Sequence, residues 1–319
     1  MGSREKAKVF VTGPLPGDAV ARLQASCDVV VGGGVASAAF ADHAGTLDAI
    51  VSLLTDRIDA ALLARTPRLR LVANVAVGVD NVDLAACRAR GVAVTHTPGV
   101  LTDATADLAF ALLLAAARRV AEGDRLVRGG QFPGWTPTTL LGVPVFRATL
   151  GIVGLGRIGQ AVARRARGFG MRVLYTQRRR LEEPLERALS ATWVPLEELF
   201  TSSDFVTLHC PLTSETRHIV SRERLASMRA GSVLVNTARG ACVDEAALAD
   251  ALERGPLAAA GIDVFEDEPR VHPRLLAQPN AVLTPHIGSA DRPTREAMAA
   301  VAADNVLALA RGEPLPNPI

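Results

Sequence analysis

The chain has 319 residues, of which 49% are hydrophobic and 21% charged, with a formal charge of +2. That length exceeds one ordinary hydrophobic core and predicts two domains. A near-neutral balance with so much apolar material excludes a disordered chain, and also a general nucleic-acid binder, which needs a marked basic excess.

The N-terminus, "MGSREKAKVF", is polar and runs straight into a strand-like segment, so no signal peptide is expected. "KVFVTG", "CDVVVGG", "LDAIVSLL", "LRLVANVAVG" and "GVAVTHTPG" follow as strand candidates, separated by helical stretches such as "PGDAVARLQAS" and "IDAALLART". Strand–helix alternation predicts βαβ units and a parallel sheet with helices on both faces. A long helix is expected from Thr105 to about Val120. It is apolar all round, which calls for one face inside its own subunit and another against something else. Its apolar run, Leu108–Ala117, is about half the ~20 residues that cross a bilayer, so no membrane partner is expected.

After a Gly-, Pro- and Thr-rich loop, a second alternating series begins: "TLGIVG", "RVLYT", "FVTLHC", "SVLVNTA", "AAAGIDVF" and "NAVLTPHIG". These predict a second complete parallel sheet. The last helix, "TREAMAAVAADNVLALARG", must pack on one of the two. Cys27, Cys87, Cys210 and Cys242 show no CxxC spacing, so free thiols in a reducing cytosol are expected, with no metal site.

The stretch "LGIVGLGRIGQAVARRARGFG" sets Gly154, Gly156 and Gly159 in a G-x-G-x-x-G pattern between a strand (Leu150–Val153) and a helix (Ile158–Phe169). In that context the pattern predicts dinucleotide binding. Gly154 makes the tight turn, Gly156 lets the backbone approach a pyrophosphate, and Gly159 lets the helix lie close to the strand. The helix N-terminus then offers its unpaired N–H groups to the phosphates. The next strand ends in "VLYTQRRR". An NAD site carries Asp or Glu there for the ribose 2′-hydroxyl. Gln177 stands there instead, followed by Arg178, Arg179 and Arg180, which suits a 2′-phosphate and therefore NADPH, with NADH as a lesser cofactor. The alternative is a solvated basic turn.

Three further motifs fall at strand ends, where open α/β sheets bind ligands. "VLVNTARG" carries Arg239, "GIDVFEDEP" carries Asp263 and Glu268, and "LTPHIGSA" carries His286. A strand-end arginine suits capture of a carboxylate, and histidine hands over protons near neutrality. A carboxylate beside it fixes its tautomer and favours imidazolium. With a nicotinamide, these parts make a hydride-transfer site for a 2-keto or 2-hydroxy acid. Taken singly, each residue also reads as an ordinary loop charge. His43, His96, His209, His218 and His272 show no paired ligand spacing and read as structural or exposed.

Together, "VGLGRIGQAVARRARGFGM", "NTARGACVDEAAL", "AGIDVFEDEP" and "LTPHIGSA" resemble the D-isomer-specific 2-hydroxyacid dehydrogenases, and within them the glyoxylate/hydroxypyruvate reductases. The resemblance runs over nearly the whole chain. It implies two Rossmann-like, doubly wound parallel-sheet domains with an interdomain active-site cleft. Residues 1–100 plus 290–319 would form a discontinuous catalytic domain and residues 101–289 the dinucleotide-binding domain. It also implies a homodimer built largely on the helix after "TDATADLAF".

The resemblance makes Arg239 the binder of the substrate carboxylate, His286 the acid/base and Glu268 its support. Asp263 would contact the nicotinamide carboxamide region. Arg157, Ile158, Pro211, Thr237, Ala238 and Gly288 join Arg239 and His286 as cofactor contacts. In "NVAVGVDN" the backbone N–H groups near Val77 and Gly78 would hold the substrate carboxylate, and Leu54 would be an apolar substrate contact. Two positions depart from relatives. Thr139, four residues after Trp135, replaces an aromatic that reaches the partner's pocket, and Val77 replaces the lysine of phosphite dehydrogenases. The expected activity is NADPH-preferring reduction of glyoxylate and hydroxypyruvate. The alternatives are a reductase of larger 2-keto acids such as 2-ketogluconate, and a non-catalytic dinucleotide-sensing protein.

Overall fold

Every apolar run expected as a strand is one, and each lies in a sheet covered on both faces. The computed structural model describes residues 5–319. They divide into two compact units, one formed by the chain up to Leu101 with Ser289–Ile319, the other by Thr102–Gly288.

In the first unit, β1 (Lys8–Val11), β2 (Asp28–Val31), β3 (Ala49–Ser52), β4 (Leu71–Asn74) and β5 (Ala93–Thr95) form a parallel sheet of order β2-β1-β3-β4-β5. Successive strand residues point to opposite faces. Val9 and Val11 therefore meet Ala299, Ala302 and Val306 of the last helix, Arg292–Arg311, on one side. Phe10, Ile50 and Val72 meet Phe40, Ile58 and Leu63 on the other. Burial on both faces is why these strands read as unbroken apolar runs.

The second unit holds seven parallel strands: β6 (Thr149–Val153), β7 (Arg172–Thr176), β8 (Ala191–Trp193), β9 (Phe205–Leu208), β10 (Ser232–Asn236), β11 (Leu257–Ile262) and β12 (Ala281–Leu283). Their order is β12-β11-β10-β9-β6-β7-β8, so the winding reverses between β6 and β9. Only β8 was not foreseen, because three residues carry no readable alternation. The helix expected from Thr105 starts earlier and ends earlier, spanning Thr102–Ala117. A left-handed Arg119 then leads into a separate helix, Val120–Arg128. The all-round apolar character of Thr102–Ala117 is satisfied within its own unit, against the helix Arg157–Ala166 and against β10 and β11. The exposed apolar side chains come afterwards, at Val120, Val127, Phe132, Trp135, Leu141 and Phe146. No helix among the described residues is long and apolar enough to cross a membrane.

Candidate active site

The glycine loop lies at the reversal point, where α/β sheets of this winding bind ligands. Gly154 has φ +93°, and a Cβ on it would sit 2.8 Å from the carbonyl carbon of His209 just past β9. A Cβ on Gly159 would lie 2.2 Å from the Gly154 carbonyl oxygen, so the helix Arg157–Ala166 can approach its strand only with glycine there. A Cβ on Gly156 would meet nothing within 4 Å. The loop therefore packs tightly behind and stays open in front, with the helix N-terminus, exposed Arg157 and half-buried Ile158 around the opening. Behind it, burial pushes the His209 pKa down to about 3, and its neutral ring pairs with the Thr207 hydroxyl. At the end of β10 the buried Thr237 hydroxyl has no hydrogen-bond partner. An open cradle at a helix N-terminus and an orphaned hydroxyl on a nearby strand end fit a dinucleotide pyrophosphate. Ala238 is half-buried beside Thr237, and Pro211 is exposed just after β9.

At the end of β7 the three arginines part company. Gln177 accepts the Leu155 N–H at 3.0 Å and donates to the Arg179 carbonyl at 2.7 Å, tying this turn to the glycine loop. Arg178 is exposed and lies 3.4 Å from Glu215, and Arg179 is exposed as well. Arg180 instead forks onto Glu186, with Nε–Oε1 and Nη2–Oε2 both 2.8 Å. Glu186 also accepts the Tyr175 hydroxyl, and these two partners draw its pKa down to about 2. Burial and the same carboxylate push Tyr175 up to about 12. Arg180, grouped by sequence with the cofactor arginines, is thus occupied in a structural fork.

Past β10, the buried Asn236 side chain accepts the Ala238 N–H at 3.0 Å and donates to the Arg239 carbonyl at 2.9 Å. This turn projects Arg239, whose Nη1 also donates to the Ala238 carbonyl. A Cβ on Gly240 would stand 1.8 Å from the Phe265 carbonyl carbon, so the Arg239 turn presses directly on the segment that carries Glu268.

Asp263 ends β11 at 1% exposure. Its oxygens accept from the Thr284 hydroxyl (2.6 Å) and from the N–H groups of Ile287 and Gly288 (both 2.8 Å). These bonds tie this carboxylate, which the sequence suggests as a cofactor contact, to the His286 loop. Burial raises its pKa, against the pull of those hydrogen bonds and of His286. His286 has φ +53°, a left-handed conformation rarely taken by non-glycine residues. It is held by its N–H bonds to the carbonyls of Asp263 (2.8 Å) and Thr284 (3.1 Å). Strain of this kind persists where the surroundings over-determine it, commonly at functional sites. The His286 Nδ1 lies 2.8 Å from Glu268 Oε2, while Glu268 Oε1 accepts the Phe265 N–H at 3.0 Å. Burial alone would raise the Glu268 pKa. The His286 and Phe265 hydrogen bonds and the charges of His286 and Arg239 outweigh it and lower the value. An ionised Glu268 takes Nδ1–H, which leaves Nε2 as the imidazole atom that can exchange a proton with a ligand.

In the first unit, the loop after β4 rests on hydroxyl, amide and imidazole side chains. Ser52 donates to Asn74 (3.0 Å), Asn74 to the Gly78 carbonyl (3.1 Å), and Asn81 to the carbonyls of Leu53 (3.2 Å) and Asp56 (2.9 Å). His96 Nδ1 holds the Val77 carbonyl at 3.0 Å. These bonds take up carbonyls around Val77 and Gly78, and Leu54 lies half-buried just after β3.

Sequence reasoning missed Asn236, Gly240, Glu186, Asn74 and Asn81. Only Gly240 carried a readable signal, a glycine directly after the strand-end arginine. No cluster of three or more metal-ligating side chains occurs among the described residues.

A seven-stranded Rossmann-wound sheet, a glycine loop open at a helix N-terminus and a carboxylate-held histidine past the end of β12 in the same sheet define a nicotinamide-dependent dehydrogenase site. Comparison with known proteins narrows this. Residues 110–288 match the family model for the D-isomer specific 2-hydroxyacid dehydrogenase NAD binding domain. The chain is 49% identical to a glyoxylate reductase of Pyrococcus horikoshii over 97% of its own length and 94% of the relative's. It is likewise 49% identical to one of Korarchaeum cryptofilum, over 98% and 95%. Among solved structures, the NADPH-dependent glyoxylate/hydroxypyruvate reductase of Sinorhizobium meliloti, in complex with NADP and malonate, superposes with a TM-score of 0.89 at 35% identity, covering 99% of this chain and 97% of that one. The chain belongs to the D-isomer-specific 2-hydroxyacid dehydrogenases and is an NAD(P)-dependent enzyme.

Proposed function

We propose that the enzyme reduces small 2-keto acids, glyoxylate and hydroxypyruvate, to D-2-hydroxy acids with a preference for NADPH. The observation that carries the chemistry is the Glu268–His286 pair at 2.8 Å, which leaves Nε2 to give its proton to the alkoxide forming at the keto oxygen. A bound nicotinamide supplies the hydride. In the second unit Arg239 pairs with the substrate carboxylate; in the first unit the N–H groups of Val77 and Gly78, with Leu54, are the substrate contacts. Asn236 and Gly240 hold Arg239 in place; Asp263 holds the His286 loop. Gly154, Gly156 and Gly159, with Arg157, Ile158, Thr237, Ala238, Pro211 and Gly288, receive the dinucleotide.

The preference for NADPH rests on Gln177, which brings no carboxylate to repel a 2′-phosphate, and on exposed Arg178 and Arg179. Arg180, committed to Glu186, serves the fold. The NADPH-dependence of the Sinorhizobium relative supports this reading. The exposed apolar side chains between Val120 and Phe146, Trp135 (84% exposed) above all, support a homodimer formed through that segment. Initial rates with NADPH and NADH against glyoxylate, hydroxypyruvate and 2-ketogluconate test the proposal. Higher kcat/KM with NADPH and with the two smaller acids is expected. Preference for 2-ketogluconate would reassign the substrate class, and no oxidation of either cofactor with any keto acid would overturn the catalytic reading.

A further inference from the structure

One buried carboxylate of the second unit has no part in the site so far. Glu245 is the first residue of the helix Glu245–Arg254 and is 6% exposed. An acidic residue in a helix's first turn ordinarily serves its own helix. Here Asp244 already does that, its side chain accepting the Ala247 N–H at 2.9 Å. Glu245 reaches 21 residues along the chain, where Oε1 accepts the Glu266 N–H at 2.8 Å. Its carboxylate therefore grips the start of the turn that carries Glu268, at the Glu266 peptide.

Two successive N–H groups are thus held by two different carboxylates, Phe265 by Glu268 and Glu266 by Glu245. The peptide between them is also the surface against which Gly240 packs, since a Cβ there would lie 1.8 Å from the Phe265 carbonyl carbon and 2.3 Å from the Glu266 nitrogen. The Glu266 side chain is tied in turn to His218 at 2.6 Å. A carboxylate kept this deep is costly unless its hydrogen bonds are made, and losing it would strand the Glu266 N–H it now satisfies.

We infer that Glu245 is a positioning residue for proton transfer: by tying the Phe265–Glu266 start of the Glu268 turn to the helix Glu245–Arg254, it sets the distance from Glu268 to His286. The inference rests on the Glu268–His286 pairing proposed above. The charged groups facing His286 are Glu268 and Asp263, with Arg239 beside Glu268. Loosening the turn should therefore act on His286 chiefly through Glu268. Misplacing a catalytic group by about 1 Å can cost up to ~10²-fold in rate.

The test compares Glu245→Ala, Glu245→Gln, Glu268→Gln and the double variant Glu245→Ala/Glu268→Gln in the full chain. It reads kcat for glyoxylate reduction against pH, and the His286 ring titration by NMR of the cofactor-free protein. Glu245→Ala should lower kcat by roughly ten- to a hundredfold. It should also shift the alkaline fall of the rate, and the His286 titration, to lower pH, the same direction expected of Glu268→Gln. The double variant should be no worse than Glu268→Gln alone, because both changes break one linkage. Glu245→Gln can still accept one N–H and should fall between wild type and Glu245→Ala. If Glu245→Ala does not fold, Glu245→Gln carries the same comparison. Loss of rate with an unmoved His286 titration, or losses that multiply in the double variant, would overturn the inference in favour of a packing role. If Glu268→Gln itself leaves the His286 titration in place, the pairing fails, and the positioning role falls with it.

Discussion

Two loops assigned to the reaction are held in opposite ways. The Val77–Gly78 loop of the first unit hangs on a hydroxyl, two amides and an imidazole: Ser52, Asn74, Asn81 and His96. The Glu268 turn and the His286 loop of the second unit hang on three carboxylates, Glu245, Asp263 and Glu268. Both kinds of support make hydrogen bonds, but only carboxylates also set the charge around a neighbouring imidazole. The difference matches the roles proposed for the two loops: N–H groups that face an anion gain nothing from nearby negative charge, whereas a histidine that gives up a proton does.

The strongest way to break this comparison is to remove the proton donor. His286→Asn should lower turnover by at least ~10²-fold while NADPH still binds, as followed by cofactor fluorescence. Near-normal turnover would mean the carboxylate-held loop does not deliver the proton.

In the proposed reading, charge in the second unit also divides between ligand and fold, and the arginine run separates the two. Replacing Arg178 and Arg179 by Ala should remove charge-assisted contacts of ~1.5–3 kcal/mol, raising the KM for NADPH by roughly ten- to a hundredfold and sparing NADH. Equal losses with both cofactors would count against phosphate reading by this turn.

Asn81→Ala sharpens the contrast from the neutral side. Each lost hydrogen bond is worth ~0.5–1.5 kcal/mol, so the KM for glyoxylate should rise by about two- to tenfold. The pH dependence of kcat should stay where it is in wild type; a moved profile would show that the amide network also governs protonation.

The smallest effect is expected from Arg180→Ala, which should leave the KM for NADPH unchanged and alter acid stability instead. The folded-state pKa of Glu186 is lowered to about 2 from an ordinary 4.5, mainly by its hydrogen bond with Arg180. The linked stability is present above about pH 4.5 and is lost as pH falls toward 2. The variant should lose stability at neutral pH, with a flatter dependence over that window in denaturant titrations. An unchanged acid profile would contradict the fork.

The sequence by itself determined the parts whose signals are local. Apolar runs bounded by glycine and proline mark the buried parallel strands, because a strand covered on both faces has no polar alternation to hide it. The glycine loop is legible because its strand–loop–helix context spans only a few residues on either side. Arg239, Glu268 and His286 stand out because each follows a strand end in a short motif. The tertiary structure alone decided which polar groups are desolvated together. Arg178, Arg179 and Arg180 are chemically identical in the sequence, and only the helix Glu183–Leu189, by bringing Glu186 beside Tyr175, takes the third of them away. That Asp263 also shapes the His286 loop shows only once β12 and the loop after it deliver three donors to it. Glu245 looks like a first-turn helix acid until the chain returns, 21 residues later, with the Glu266 N–H that it accepts. Hydrogen-bond partners are set by which groups leave water in the same place, and residues distant along the chain meet only when the sheet and its helices close.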